Sequence, residues 1–385
     1  MDGGKGSHTE FRMALSWNKK VYLYSENHSL DTTFYHLPEV HIVEGGIEEF
    51  VEQVLGGKGL ITIDDAIYGE HHIDGVLAEL LQSKAVQRLK KIHQGGASFL
   101  VNSTWNVTRY EHSVGVMILV KMLGGSVEEQ IVALLHDISH TAFSHIVDRV
   151  LDEQNEDYHE QIFMDVIEAS DIPFILQTYG YDYRMIEKWE QWTLLEQPLP
   201  NLCADRMDYT LRDLYTYGMI TKQEVSSFLE DVTVHNGQIC LQSVQAAEWF
   251  TKTYYKETID FFLHPLNSYG SYILTKVLQE ALQKNILDLS DFSADDETVL
   301  HMLRNSGDSE IEKMLSSLHS KVELEENRAE YDICYKGGKA RLIDPFVYKN
   351  GKIQRASVLS PFAKQCNEKA KRQLQQNIYL KIQNV

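Results

Sequence analysis

Between Arg109 and His159 the chain reads RYEHSVGVMILV, then LLHDISHTAFSHIVDRVL, then EDYHEQIF, and five of its sixteen histidines fall in that interval. The apolar residues around them recur at helical spacing, so these histidines ride on otherwise apolar helices and solvated surface does not account for them. Asp137 and Asp148 lie among them, and Asp205 follows in CADRMDYTLRD. A histidine (His112), a His-Asp doublet (His136-Asp137) and a distant aspartate (Asp205), each delivered by a helix, make a cage for one metal ion. A chain that brings them together must fold as stacked helices.

Adjacent residues on a continuous helix point about 100° apart, so His136 and Asp137 share a ligand only where the helix ends and its backbone unwinds. IVALLHDI gives way to Ser139 at that point. Imidazole nitrogens mixed with carboxylate oxygens suit a first-row divalent ion better than calcium, with Mn, Fe, Co, Ni, Zn and Mg all admissible. Four protein ligands leave octahedral positions open for water and a phosphate oxygen, the arrangement of metal-assisted hydrolysis. Taken singly, each histidine reads most simply as a core residue with a satisfied hydrogen bond. Taken jointly on separate helices, the pattern reads as a metal site.

Composition narrows the partners. With a formal net charge of -20 the chain is poorly suited to bind a nucleic-acid polymer or an anionic membrane, and a polyanionic substrate needs a local basic cluster or a metal. The four cysteines, Cys203, Cys240, Cys334 and Cys366, form no C-x-x-C pair, which fits a reducing compartment and a cytoplasmic protein. No apolar run is long enough to span a bilayer.

Along the chain, residues 1–16 read as a flexible start. Residues 17–60 mix strand-like KKVYLYS and EVHIVEG with a helix, IEEFVEQVLGG, that Gly56-Gly57 would end. From Gly75 the apolar spacing predicts one helix to the Gly95-Gly96 pair, then a helix from Tyr110 to Leu123, then another opened by Ser126 with Glu129 three residues on. After residue 320 the GG and NG turns and alternating runs read as hairpins, followed by a Lys-rich helix from Ser360 to about Gln375. The fold expected is mainly α: a helical core over 61–290, a C-terminal helical and α+β lobe over 291–385, and a short mixed N-terminal segment.

The segments QRLKKIHQGG, NVTRYEHSVGV, LLHDISHTAFSHIVD, YHEQ and DRMDY, in that order, resemble the HD-domain phosphohydrolases, and within them the deoxynucleotide triphosphohydrolases, over roughly residues 61 to 290. The resemblance implies His112, His136, Asp137 and Asp205 as metal ligands, and His140 and His145 facing the scissile phosphate. It implies His159 and Asp148 as a supporting acid-base pair; independently, Asp148 lies three residues after His145 and can share its helix face. Arg88 would contact phosphate and Arg206 would stand beside the metal aspartate. Tyr209 and Asp213, four and eight residues beyond Asp205 on the same helix face, would lie by the sugar and its 3′-hydroxyl. Alone, Arg88 and Arg206 read as solvated helix charges, and Tyr209 and Asp213 as a packed tyrosine and a surface acid. The chain departs from the family at Ser139, where glycine is common, and at Asp65–Gly69, where D-A-I-Y-G replaces D-P-x-H-G in the neighbourhood of a regulatory nucleotide site.

The reading that follows is a metal-dependent hydrolase releasing deoxynucleoside and inorganic triphosphate from a dNTP through metal-activated water attack at the α-phosphorus. The resemblance also implies a homo-oligomer. Two other readings stay open: a phosphatase acting stepwise on nucleotides or other phosphate monoesters, and an inactive nucleotide-binding module. The full set of histidines and aspartates speaks against the last.

Overall fold

The helix that carries His112 starts on a capping box. Thr108 Oγ1 accepts from the Glu111 amide at 3.2 Å, and Glu111 Oε2 accepts from the Thr108 amide at 2.8 Å, so two donors near the helix start are satisfied reciprocally. The computed structural model describes residues 21–24, 40–43, 60–152, 157–335 and 341–384, and there the chain is mainly α-helical. In chain order its helices include α1 (Gly75–Gln82), α2 (Lys84–Arg88), α3 (Arg109–Met122), α4 (Val127–Leu135), α5 (Ile146–Val150), α6 (Tyr158–Gln161) and α7 (Ala204–Thr216). They continue with α8 (Val244–Tyr255), a π-helical turn (Lys256–Phe261), α9 (Pro265–Gln283), α10 (Asp296–Asn305) and α11 (Pro361–Leu374). Among the described residues no helix is long and apolar enough to cross a membrane.

The single helix expected from Gly75 is broken at Ser83. Its hydroxyl donates to the Leu80 carbonyl at 2.7 Å and accepts from the Val86 amide, so Ser83 caps α2 instead of continuing α1. Ser126 caps α4 as its sequence suggests, but Glu129 does not close the box: its carboxylate accepts from the amides of Leu194 and Leu195. Burial of α3 is almost complete from His112 to Val120. Gly115 is what lets α7 approach it, because a Cβ there would sit 1.9 Å from Arg212 Nη2 and 2.2 Å from Asp208 Oδ1.

The strands are short. Val21–Tyr24 (β1) and Val40–Val43 (β2) pair in parallel, and Ile61–Asp65 (β3) pairs with Gly69–Ile73 (β4). Val232–His235 (β5) and Gln238–Leu241 (β6) form a hairpin, and Glu323–Glu326 (β7), Ile333–Tyr335 (β8) and Ile378–Asn384 (β11) form a three-stranded sheet in the order β7-β11-β8. Phe346–Lys349 (β9) and Lys352–Arg355 (β10) turn on Asn350 (φ 51) and Gly351 (φ 75), the left-handed pair of a type I′ hairpin that the NG dipeptide announces. The expected helix over 47–57, the N-terminal residues 1–16 and the Gly337-Gly338 turn lie outside the described residues.

The described residues fall into two compact units, one of those up to Ile63 with His72–Glu79 and one of Asp64–His71 with those from Leu80 onward. Position 290 lies within the second unit. β9 joins β6 in parallel at Leu241↔Val347, building one sheet in the order β10-β9-β6-β5. Phe143 and Ile146 from the histidine segment pack with Leu274 and Leu278 of α9, with Phe292, and with Val299 and Leu303 of α10. Burying one such side chain contributes about 1.5–3 kcal/mol. The residues after 290 are part of the scaffold under the site.

Candidate active site

α3 packs along α4 and against α7, and their meeting point gathers the four expected metal ligands. His112 comes from α3, Asp205 from the first turn of α7, and His136 and Asp137 from the end of α4. There the helix tightens, with Ile138 N bonded to Leu135 O and His140 N to Asp137 O, and the two neighbouring side chains turn to one side. His112 Nε2 lies 2.9 Å from Asp205 Oδ1 and 3.7 Å from Asp137 Oδ2. His136 Nε2 lies 3.5 Å from Asp137 Oδ1 and from Asp205 Oδ1, and 3.3 Å from His112 Nε2.

The remaining ring nitrogens are occupied in a way that fits metal binding. His112 Nδ1 donates to Asp208 Oδ2 at 2.9 Å and His136 Nδ1 to the Ala133 carbonyl at 2.7 Å, so both Nε2 atoms face the cluster. Burial opposes a charge on His112, but hydrogen bonds to Asp205 and Asp208 and the charge of Asp137 overturn it and raise its pKa to about 10. A proton stands there where a cation would sit. The donor set, two imidazole nitrogens and two carboxylates, fits a first-row divalent ion.

A second cluster adjoins the first. The ring nitrogens of His140, His145 and His159 gather within 4.8 Å of one another. His140 Nε2 lies 3.2 Å from Asp137 Oδ1, and the His159 ring stacks on His140 at 4.0 Å. Two consecutive residues in the left-handed region, Phe143 (φ 60) and Ser144 (φ 51), reverse the chain between His140 and His145. For residues other than glycine this costs about 1–2 kcal/mol each. Asp296 offsets the strain by accepting from the Phe143 amide at 2.6 Å and from the amide and Nδ1 of His93 at 2.9 and 2.8 Å.

Of the expected His159-Asp148 pair, Asp148 is hydrogen-bonded to His145 instead. Asp148 Oδ2 accepts from His145 Nδ1 at 3.1 Å and Oδ1 from the Tyr158 amide at 3.0 Å, because His145 caps α5 and Asp148 sits in its first turn. His159 has a buried Nδ1 without a partner among the described residues, and burial together with His145 pushes its pKa down to about 3. Burial, Arg109 and His159 likewise hold His140 well below the usual histidine range. Both rings are neutral near pH 7.

A cavity of about 890 Å³ contains both clusters and extends to Arg206, Tyr209 and Asp213. Arg88 does not line it. Its guanidinium donates to four backbone carbonyls, those of Ile138, His140, Ser293 and Ala294, and so braces the histidine segment from behind. The arginine beside the metal cluster is Arg109, with Nη1 2.7 Å from Asp137 Oδ2 and Nε 3.0 Å from Ser144 Oγ. Arg206 bonds Glu196 at 3.1 Å and the Asn201 carbonyl at 2.7 Å, while its buried Nε has no partner. Tyr209 donates to Tyr254 at 3.2 Å, and Asp213 accepts from Gln94 Nε2 at 3.2 and 3.1 Å.

Comparison with known proteins agrees with this geometry. The model of the HD domain family matches residues 109–213. The chain is 32% identical to the metal-dependent phosphohydrolase cns2 of Cordyceps militaris, over 77% of this chain and 87% of that one. It belongs to the HD-domain metal-dependent phosphohydrolases. Within that family it is 51% identical to the uncharacterized protein YdhJ of Bacillus subtilis, over 84% of this chain and 99% of the relative. It is 22% identical to the deoxynucleoside triphosphate triphosphohydrolase SAMHD1 homolog of Dictyostelium discoideum, over 66% of this chain and 57% of that one. A crystal structure of a hypothetical protein from Aquifex aeolicus shares the fold, with a TM-score of 0.59 and 21% identity over 82% of this chain and 100% of that one.

Several groups of this HD-domain site had no assignment from sequence. Arg109 and Gln94 line the cavity. The first lies one helical turn before His112, a spacing that a helix-face reading can find. Asp208 and Arg212 continue the stripe of Asp205 along α7. Arg212 bonds Asp208 twice at 3.0 Å and Asp65 Oδ2 at 2.9 Å, so the D-A-I-Y-G turn is tied through Asp208 to His112. Asp208 orients His112, one of the expected ligands. Asp208→Asn is expected to weaken divalent-metal affinity by about 10–100-fold while the fold persists. Metal-buffered titration followed by circular dichroism checks this, and an unchanged affinity would refute the orienting role.

Proposed function

We propose that this HD-domain phosphohydrolase cleaves deoxynucleoside triphosphates to deoxynucleoside and inorganic triphosphate. The observation that carries the reading is one cavity holding the His/Asp cluster at one place and the pair Tyr209 and Asp213 at another. Eight residues separate Asp205 from Asp213, about 12 Å along α7, a span suited to the distance between an α-phosphate and the far side of a deoxyribose. The likeness to a SAMHD1 homolog points the same way.

His112, His136, Asp137 and Asp205 would hold a divalent ion. When bound, such an ion supplies Lewis-acid polarisation of a phosphoryl oxygen and lowers the pKa of water. The chain's own groups do the rest. Arg109 and the free Nε of Arg206 offer donors for equatorial phosphoryl oxygens. Asp148 accepts from His145 Nδ1–H and steadies the imidazolium form, whose Nε2–H would pass its proton to the departing oxygen and leave the ring neutral. His140 and His159, neutral and stacked, offer hydrogen bonds without adding charge.

A second reading is favoured by one feature. Arg109 and Arg206 are each partly neutralised by a cavity-lining carboxylate, Asp137 and Glu196, which suits a phosphate carrying less charge than a triphosphate. Product analysis by anion exchange, with Mn²⁺ and each of the four dNTPs, separates the two. Inorganic triphosphate with deoxynucleoside is the expected result. Stepwise orthophosphate would move the substrate to phosphate monoesters, and no product from any dNTP would refute the triphosphohydrolase reading.

A further inference from the structure

Asp213, at the wall of the cavity, and Glu257 behind it bring two carboxyl groups together, 1% and 0% exposed. Asp213 accepts from Gln94 Nε2 through both oxygens. Neither oxygen of Glu257 has a donor from any described residue. Two ionised carboxylates in buried contact repel strongly, and among the described residues no cationic side chain is bonded to either. The arrangement becomes a hydrogen bond only when one of them carries a proton. The donor count says which. Gln94 already supplies N–H groups to Asp213, which favours its ionised form, whereas Glu257 has nothing else to bond and can satisfy itself only by donating. Burial and the charge of Asp213 raise Glu257 well above the usual carboxyl range, and burial raises Asp213 to about 7, which runs in the same direction.

The backbone supports the placement. Glu257 lies in the π-helical turn Lys256–Phe261, which packs against α7, and the next residue, Thr258, lines the cavity. Turns of this kind disrupt the regular α repeat and occur frequently at functional sites. Beside the pair, Gln94 Oε1 is buried without a partner. Asp213 and Gln94 thus both offer acceptors, and the group that completes them is a neutral donor such as a hydroxyl.

We propose that Glu257 is a protonated positioning residue, whose O–H donates to Asp213 and holds that carboxylate ready to accept from a hydroxyl group of the substrate. The hydroxyl half of this inference rests on the nucleoside reading of the cavity; the protonation of Glu257 does not. Two measurements test the halves separately. Infrared difference spectra at neutral pH should show the carbonyl stretch of a protonated acid in the wild type that is missing in Glu257→Gln. The same spectrum from both proteins would overturn the protonation. Steady-state kinetics with a dNTP should show KM raised roughly tenfold in Glu257→Leu, with kcat and bound metal near the wild-type values. Glu257→Gln, whose amide N–H can donate to Asp213, should restore KM. An unchanged KM in Glu257→Leu would overturn the positioning role. A wild type that turns over no dNTP would refute the substrate reading and the hydroxyl half with it, and the infrared comparison would still decide where the proton is.

Discussion

Asp137→Ala is expected to strip the protein of bound divalent metal and to lower phosphohydrolysis by at least about a thousandfold. No other carboxylate in the site has as many contacts. Its oxygens lie 2.7 Å from Arg109, 3.2 Å from His140, 3.5 Å from His136 and 3.7 Å from His112, so it joins the metal cluster to the second histidine cluster. Burial raises the cost of its charge, but Arg109, His136 and His140 outweigh that and hold Asp137 well below the usual carboxylate range. Removing it leaves Arg109 buried and unpaired, which costs about 3–5 kcal/mol in stability. Asp137→Asn keeps the volume and separates ligation from folding. Metal content by elemental analysis, thermal unfolding and turnover are read together on both variants. If metal and turnover both survive in either, the ligand assignment is wrong.

His145→Ala is expected to leave metal content intact and to lower turnover by about 10²–10⁴-fold, the usual contribution of a positioned proton donor. The ring belongs to the second cluster, and its bonded partner is Asp148, not the metal aspartates. Asp148→Asn should reproduce much of the loss, because it removes the carboxylate that steadies the imidazolium. The decisive comparison is metal stoichiometry against kcat. Metal lost along with activity from His145→Ala would mean that His140, His145 and His159 themselves hold an ion, and the proton-delivery role would then be withdrawn.

The elements whose stability is local were legible from residue order. Capping residues Ser126 and Ser360 and the Asn350-Gly351 turn act within four residues of themselves, and they open or turn the expected elements. Ser83 also acts locally, yet it breaks the helix predicted from Gly75, because the apolar period runs through a residue whose hydroxyl caps the next segment. The site was readable where a helix period dictates which face a side chain takes. Tyr209 and Asp213 follow Asp205 into the cavity by that rule, and Arg109 was available to it. Arg88 was not, since a lone arginine carries no signal for the four carbonyls that claim it.

Residue order nominated His112, His136, Asp137 and Asp205 as expected metal ligands, for a His, a His-Asp doublet and an Asp on separate helices have few other ways to be buried together. It also determined a mainly helical fold. The pairings came from packing: Asp148 with His145 and not His159, Arg109 beside Asp137, Asp208 behind His112, Glu257 against Asp213. Packing also decided that Asp296, 153 residues beyond Phe143, braces the histidine segment. The reason is physical. Helix periodicity and capping are written in neighbouring residues, whereas the partner of a buried charge is whichever group the packed chain brings within about 3 Å.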